Sequence, residues 1–251
     1  MAKKQTKPNP ADKLKNMKFK IVVIGAGGTG SYFLKEFSRF VSGTDYLYKI
    51  SGMYIFDGDH VEESNLKRQC FLKEDIGAGK ATIMAEILND SFELNWKAFP
   101  EYVTNVEQLV SKIELSKNEM PILIGCVDNH GCRMVLEDLF RLWPNCVYFD
   151  SANEFESGEV VLSYRFLDRQ LSKLRTEIFP DVLKGDLRNV TEMSCEELNV
   201  SSPQHITVNM MAGLVLLSSL SSFLNDYKVT PGFVSFNART LSSDFYPAPS
   251  E

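Results

Sequence analysis

The 251-residue sequence predicts an α/β protein built on a doubly wound, mostly parallel sheet, with an antiparallel extension toward the C-terminus. Three observations predict it. Short, unbroken apolar runs alternate with stretches of helical apolar spacing. The first run leads into Gly25-Ala26-Gly27-Gly28-Thr29-Gly30 and then a helical pattern. Finally, Gly25, Asp57, Asp128 and Asp150 each stand where such a run stops, and in open parallel sheets ligands bind beyond those carboxyl ends.

The first strand is expected over 19–25, where Ile21, Val22, Val23 and Ile24 form a run suited to burial on both faces. A helix follows from Ser31 to about Val41, with Phe33, Leu34, Phe37 and Phe40 along one side. Further strands are expected at 53–56, 122–127 and 146–149, and helices at 80–89 and 133–143. After Asp150 the pattern changes. Residues 159–166 alternate as an antiparallel strand does, 167–202 are polar and irregular, 204–224 read as one long apolar helix, and 232–236 as a last strand. This gives a flexible basic tail over 1–18 and one domain over 19–251, with a crossover region at 165–203.

Composition narrows the function. A hydrophobic share of 44% supports a sizeable core, and a net charge of −6 argues against a nucleic-acid-coating role. The one basic cluster is the N-terminal tail, read as a solubilising segment or a docking arm. No signal peptide is legible, and the best apolar stretch, 210–220, has the length of a core helix rather than a membrane span. Five scattered cysteines do not form a disulfide framework, so a cytoplasmic protein is expected, with neither a membrane nor a nucleic-acid partner.

The glycine loop, Gly25-x-Gly27-x-x-Gly30 with Gly28 between, lets backbone N–H groups approach a phosphate at a helix N-terminus. Alone it suits a nicotinamide or flavin enzyme as well. The decisive segment follows the second strand: Asp57-Gly58-Asp59-His60-Val61-Glu62-Glu63-Ser64-Asn65-Leu66-Lys67-Arg68-Gln69, then Asp75-Ile76-Gly77-Ala78-Gly79-Lys80. Hydride transfer has no use for this cluster, whereas ATP does. A carboxylate can hold ribose hydroxyls, Arg68 and Lys80 can neutralise a triphosphate, and Asp128 can bind Mg²⁺ through hard oxygen.

These motifs, with Cys126-x-Asp128-Asn129, resemble the ThiF/MoeB family, which includes ubiquitin-activating enzymes. The likeness spans roughly 19–165. Thr191-Glu192-Met193-Ser194-Cys195, Gln204 with Asn209, and Gly232-Phe233 with Asn237 look most like ThiF-like proteins of bacterial PRTRC systems. The resemblance implies a Rossmann-like fold and attack of a ubiquitin-like protein's C-terminal carboxylate on the α-phosphate of ATP. It implies that Asp57 binds ribose, that Asp59, Asn65, Arg68 and Gln69 line the phosphate pocket, that Lys80 meets the phosphates, and that Asp128 holds Mg²⁺. Asp59 and Asn65 have a second reading as turn or cap residues, and Gln69 as packing.

The same resemblance matches Cys195 to an acyl-accepting cysteine; Cys70, Cys126, Cys132 and Cys146 read as small core residues. It implies a homodimer and, in some relatives, a conjugating enzyme as a further partner. The chain departs from the family in two ways. It has no Cys-x-x-Cys pairs, so no zinc is expected, and no arginine before Arg39 to match the N-terminal arginine of many relatives, so either a tail lysine substitutes or the charge comes from elsewhere, such as Arg165, Arg169 or Arg175. Alternatives are activation of a sulfur-carrier protein for thiamine- or molybdopterin-type synthesis, a non-catalytic binding subunit, and a nicotinamide-dependent oxidoreductase.

Overall fold

The computed structural model describes residues 14–188, 190–192 and 204–248. Cys195 and most of the basic tail lie outside these residues.

The sheet begins with β1 (Lys18–Ile24), and α1 (Gly28–Ser42) leads to β2 (Ile50–Phe56). Then come α2 (Lys80–Phe92), β3 (Trp96–Phe99), α3 (Val106–Lys112), β4 (Glu119–Gly125), α4 (His130–Leu142) and β5 (Cys146–Asn153). The second part holds β6 (Ser157–Phe166), β7 (Arg169–Gln170), α5 (Arg175–Ile178), α6 (Ile206–Asp226), β8 (Gly232–Asn237) and β9 (Ser242–Pro247). The strand order is β3-β2-β1-β4-β5-β6-β8-β9, with β7 beside β6. Strands β3 to β5 run parallel; β6, β8 and β9 add antiparallel.

The apolar runs place alternate side chains in two cores. Phe19, Ile21 and Val23 face α1, α2 and α6, whereas Val22 and Ile24 face α3 and α4. Both sets are buried, which is why the strand sequence lacks polar alternation. Leu14 and Met17 also join the first core. Helix α6 has the 21-residue length the sequence predicts, shifted two residues toward the C-terminus, and is long and apolar enough to span a bilayer by length and composition. Here Val208, Ala212, Leu216, Leu220 and Phe223 are buried in the first core. Gly213 brings the helix against α1; an added Cβ there would lie 3.2 Å from the Phe33 nitrogen.

Several boundaries differ from the sequence reading. Helix α1 starts at Gly28, inside the glycine loop, because the loop itself forms the helix's first turn. Strand β4 ends at Gly125, leaving Cys126 and Val127 in the connection. The segment from 167 to 192 is more structured than expected, holding β7, α5 and short 3-10 turns. Strands β3 and β9 and helix α3 had no sequence signal strong enough to find them. β3 is four residues long, and β9 is exposed at every position.

Candidate functional site: a nucleotide cleft at the switch point

The chain leaves β1 toward β2 and β3 on one side and returns to β4 on the other, so the sheet's switch point lies between β1 and β4. The two connections touch there. Gly25 has φ +93°, its N–H donates to Phe56 O at 2.8 Å, and the Cys126 N–H donates to Ile24 O at 2.8 Å. A Cβ on Gly25 would meet Cys126 O at 2.5 Å, and one on Gly30 would lie 1.9 Å from Gly25 O. Gly25 thus permits the turn and Gly30 the close helix–strand approach, while Gly27 and Gly28 leave the first turn of α1 open to the cleft.

A cleft of about 1300 Å³ opens over this point. It brings together Gly25, Gly27, Gly28, Asp57, Asp59, Asn65, Arg68, Gln69, Lys80 and Asp128. Gly30 packs beneath it. Asp57 directly follows β2, and its carboxylate accepts the Ala26 N–H at 2.6 Å and the Asp59 N–H at 2.8 Å. Burial and the neighbouring Asp59 carboxylate push its pKa up to about 6, against the opposing pull of Lys80 and those two N–H groups.

Asp59 has one oxygen on the Lys80 ammonium at 2.9 Å and the other on the Tyr102 hydroxyl. Burial raises its pKa, but Lys80 and the Tyr102 hydroxyl outweigh that and hold it below the usual carboxylate range. Asn65 is buried and closes a capping box, its Oδ1 accepting the Glu62 N–H at 3.0 Å. The cap reading of Asn65 therefore describes its present contacts. Gln69 is buried beside Gly27, and its Oε1 has no hydrogen-bond partner among the described residues. Arg68 and Asp128 differ: among the described residues, neither side chain has a hydrogen-bond or ion-pair partner. Asp128 is exposed on the connection after β4. The cleft thus presents Arg68 and Asp128 without protein partners among the described residues, beside a helix N-terminus, a set that fits a nucleotide's phosphates and a hard divalent ion.

Asp150 does not sit at a strand end. It lies inside β5, 1% exposed, between two buried arginines. Arg133 Nε donates to its Oδ1 at 3.3 Å, and Arg175 Nε bonds its Oδ2. Arg175 also pairs with Glu159 at 2.6 Å. Burial lowers the Arg175 pKa, but the two carboxylates more than offset this and leave it raised. Arg175 therefore borders the cleft with its charge already neutralised, and Asp150 serves as a counterion rather than a ligand. Arg165 bonds Trp143 O and pairs with Asp168 outside the cleft lining.

The far wall carries amides. Asn153 donates to Thr29 Oγ1 at 2.6 Å and to Asn209 Oδ1 at 3.2 Å, and Gln204 donates to Asn153 O at 3.3 Å. Asn209 is fully buried against Gly28, where an added Cβ would lie 2.5 Å from its Nδ2. Asn129 caps α4 by accepting the Cys132 N–H, and donates to Arg188 O at 3.0 Å, tying the 180–188 segment to the cleft. Tyr102, Arg133 and Asn153 escaped the sequence reading, and Arg175, expected as a substitute cation for the phosphates, is instead committed to Asp150 and Glu159. Arg133 alone had a local signal, standing one turn after the Asp128-Asn129 pair. Burial pushes the Cys132 thiol up to about 12 and raises those of Cys126 and Cys146, while Cys70 is raised as well. None of the four carries thiolate character.

A family model described as ThiF family matches residues 3–250. The ubiquitin-like modifier-activating enzyme 5 of Arabidopsis thaliana is 25% identical over 249 residues, covering 91% of this chain and 52% of that protein. The NEDD8-activating enzyme E1 catalytic subunit of Saccharomyces cerevisiae is 38% identical over 152 residues, 57% of this chain and 47% of that protein. The chain spans about half the length of these curated relatives. Among solved structures, E. coli MccB crystallised with ATP shares the fold, with a TM-score of 0.64 at 15% identity over 95% of this chain and 65% of that one. With a glycine loop, an Asp57-to-Gln69 run and a matched span covering nearly all of its length, this chain belongs to the ThiF family.

Proposed function

We propose that this chain adenylates the C-terminal carboxylate of a ubiquitin-like protein with ATP, within a bacterial conjugation pathway in the cytoplasm. The observation that carries the reading is the convergence of Arg68, Lys80 and Asp128 on the open N-terminus of α1 at the switch point. Hydride transfer needs no such charges; displacement at a phosphate does. The bacterial pathway rests on the motif likeness at Thr191–Cys195, Gln204, Asn209 and Gly232–Asn237.

In the proposed reaction a carboxylate oxygen of the partner attacks the α-phosphorus. The bond from that phosphorus to the bridging oxygen breaks, pyrophosphate leaves with the electron pair, and an acyl-adenylate forms. Asp57 receives ribose hydroxyls. Arg68, Lys80 and the N–H groups of the α1 first turn hold the phosphates and neutralise charge on the leaving pyrophosphate. Asp59 fixes Lys80, and Asn65 with Gln69 forms the wall of the phosphate pocket. Asp128 would hold Mg²⁺, which supplies further charge neutralisation when bound. The amide wall of Asn153 and Gln204 suits the partner's peptide end, because amides offer both donors and acceptors to a backbone.

The acyl group then passes to the Cys195 thiolate with release of AMP. Cys195 lies outside the described residues. The segments flanking it are tied to the cleft through Arg188 O on Asn129 and Gln204 on Asn153. A homodimer is part of the reading: Ile206, Met210 and Leu214 form an exposed apolar stripe at i, i+4, i+8 on α6.

ATP–pyrophosphate exchange with candidate glycine-ended ubiquitin-like partners tests the first step. Cys195→Ala should keep the exchange and abolish a reducible thioester; loss of both sinks the Cys195 assignment. A thiocarboxylate on the partner in place of a conjugate would move the chain to the sulfur-carrier branch.

A further inference from the structure

Lys80 is 6% exposed, and its charge is matched by one oxygen of Asp59. The Asp59 side chain is 47% exposed. Such a pair is unequal. A half-exposed carboxylate gains hydration by turning outward, and that turn would leave the ammonium buried without a counterion. Something must keep Asp59 facing inward.

Tyr102 is placed to do so. Its hydroxyl donates to the second Asp59 oxygen, so the carboxylate is held at both ends and has no free rotation. Tyr102 itself stands on a fixed loop. Gln108 on α3 donates to Tyr102 O at 2.9 Å and accepts the Thr104 N–H at 2.9 Å. The Tyr102 ring lies across Gly58, where an added Cβ would fall 2.6 Å from the ring carbon Cγ. Gly58 therefore makes room for the ring directly between the two carboxylates. Burial raises the phenol's pKa, and so do the hydrogen bond to Asp59 and the nearby Asp59, Asp57 and Asp128 carboxylates, so it stays a donor at any physiological pH. On the other side, the Lys80 N–H donates to Asp59 O at 2.8 Å, which seats the start of α2 on the same residue.

We infer that Tyr102 is a positioning residue of the nucleotide site, holding Asp59 against Lys80 so that the ammonium is fixed toward the phosphates. The inference deepens the ATP reading and rests on it for the ligand, while the Tyr102–Asp59–Lys80 link itself is measurable without nucleotide.

The test uses the full chain, with Tyr102→Phe keeping the ring and Tyr102→Ala removing it. Reductive methylation of Lys80, followed by mass spectrometry, reads the link. Calorimetry with ATP·Mg²⁺ and with adenosine reads its effect. The expected result is faster Lys80 methylation in Tyr102→Phe, about tenfold weaker ATP·Mg²⁺ binding and unchanged adenosine binding. Wild-type methylation and wild-type ATP·Mg²⁺ affinity in Tyr102→Phe would overturn it. So would equal losses for ATP and adenosine in both variants, which would make Tyr102 a wall of the nucleoside pocket. Faster methylation in a chain that binds no ATP at all would uphold the link and overturn the nucleotide reading.

Discussion

Replacing Asp150 with Asn tests the floor of the cleft. Asp150 is the carboxylate shared by Arg133 and Arg175, with side-chain exposures of 1%, 6% and 2% respectively. The amide keeps the shape but removes the charge. Arg175 then retains Glu159, and among the described residues Arg133 retains the Val127 and Ser151 carbonyls and His130. Breaking a buried pair in this way costs about 3–5 kcal/mol, because the Arg133 guanidinium is left buried without a counter-charge. For a chain of this size that corresponds to a fall in Tm of roughly 6–20 °C. Urea and thermal melts of Asp150→Asn, without nucleotide, read it directly. The exposed Lys184–Asp181 pair supplies the control, and Asp181→Asn should leave the melt unchanged. Asp150→Asn combined with Arg175→Met should lose less than the sum of the two single changes. A loss under about 1 kcal/mol for Asp150→Asn would refute the assignment of Asp150 as the shared counterion.

Other outcomes follow from the same geometry. Gly30→Ala forces a Cβ to within 1.9 Å of Gly25 O and should destabilise by about 3 kcal/mol or more in a thermal melt, whereas Gly43→Ala, at φ −88°, should be neutral. Arg68→Ala should weaken ATP·Mg²⁺ binding roughly 10- to 100-fold by calorimetry while leaving Tm unchanged, since the side chain has no protein partner among the described residues to lose. Asp57 gives a pH dependence. Its pKa is about 6 in the fold against 3.8 ordinarily, so between about pH 4 and 6 the native state binds more protons than the unfolded one. Stability from this group therefore falls by about 3 kcal/mol as pH rises through that window. ATP binding should run the other way, weakening below about pH 6 as the ribose acceptor is protonated, and Asp57→Asn should flatten that limb.

The sheet was legible in the sequence because its central strands are buried on both faces. Runs such as 21–24 leave no other economical reading. The edges were not legible: β3 is four residues long and ends before Pro100, and β9 has no buried face to impose a period. The nucleotide end of the cleft was legible because its groups crowd into two short stretches, 25–30 and 57–80. The contacts among them were not. Asp150 read as the end of a strand, but β5 continues to Asn153 and pairs with β6, burying the carboxylate between arginines 17 residues before and 25 residues after it. Tyr102 had no signal for the same reason: it reaches Asp59 across 43 residues, from a connection whose position is set by α3.

The central claim is that a partner's carboxylate attacks the α-phosphorus of ATP in this cleft. It is tested most directly by labelling the C-terminal carboxylate of a ubiquitin-like partner with ¹⁸O and letting the chain turn over ATP. The account predicts ¹⁸O in AMP, with pyrophosphate as the unlabelled product. Label in inorganic phosphate, with ADP formed, would place the attack on the γ-phosphorus and contradict it.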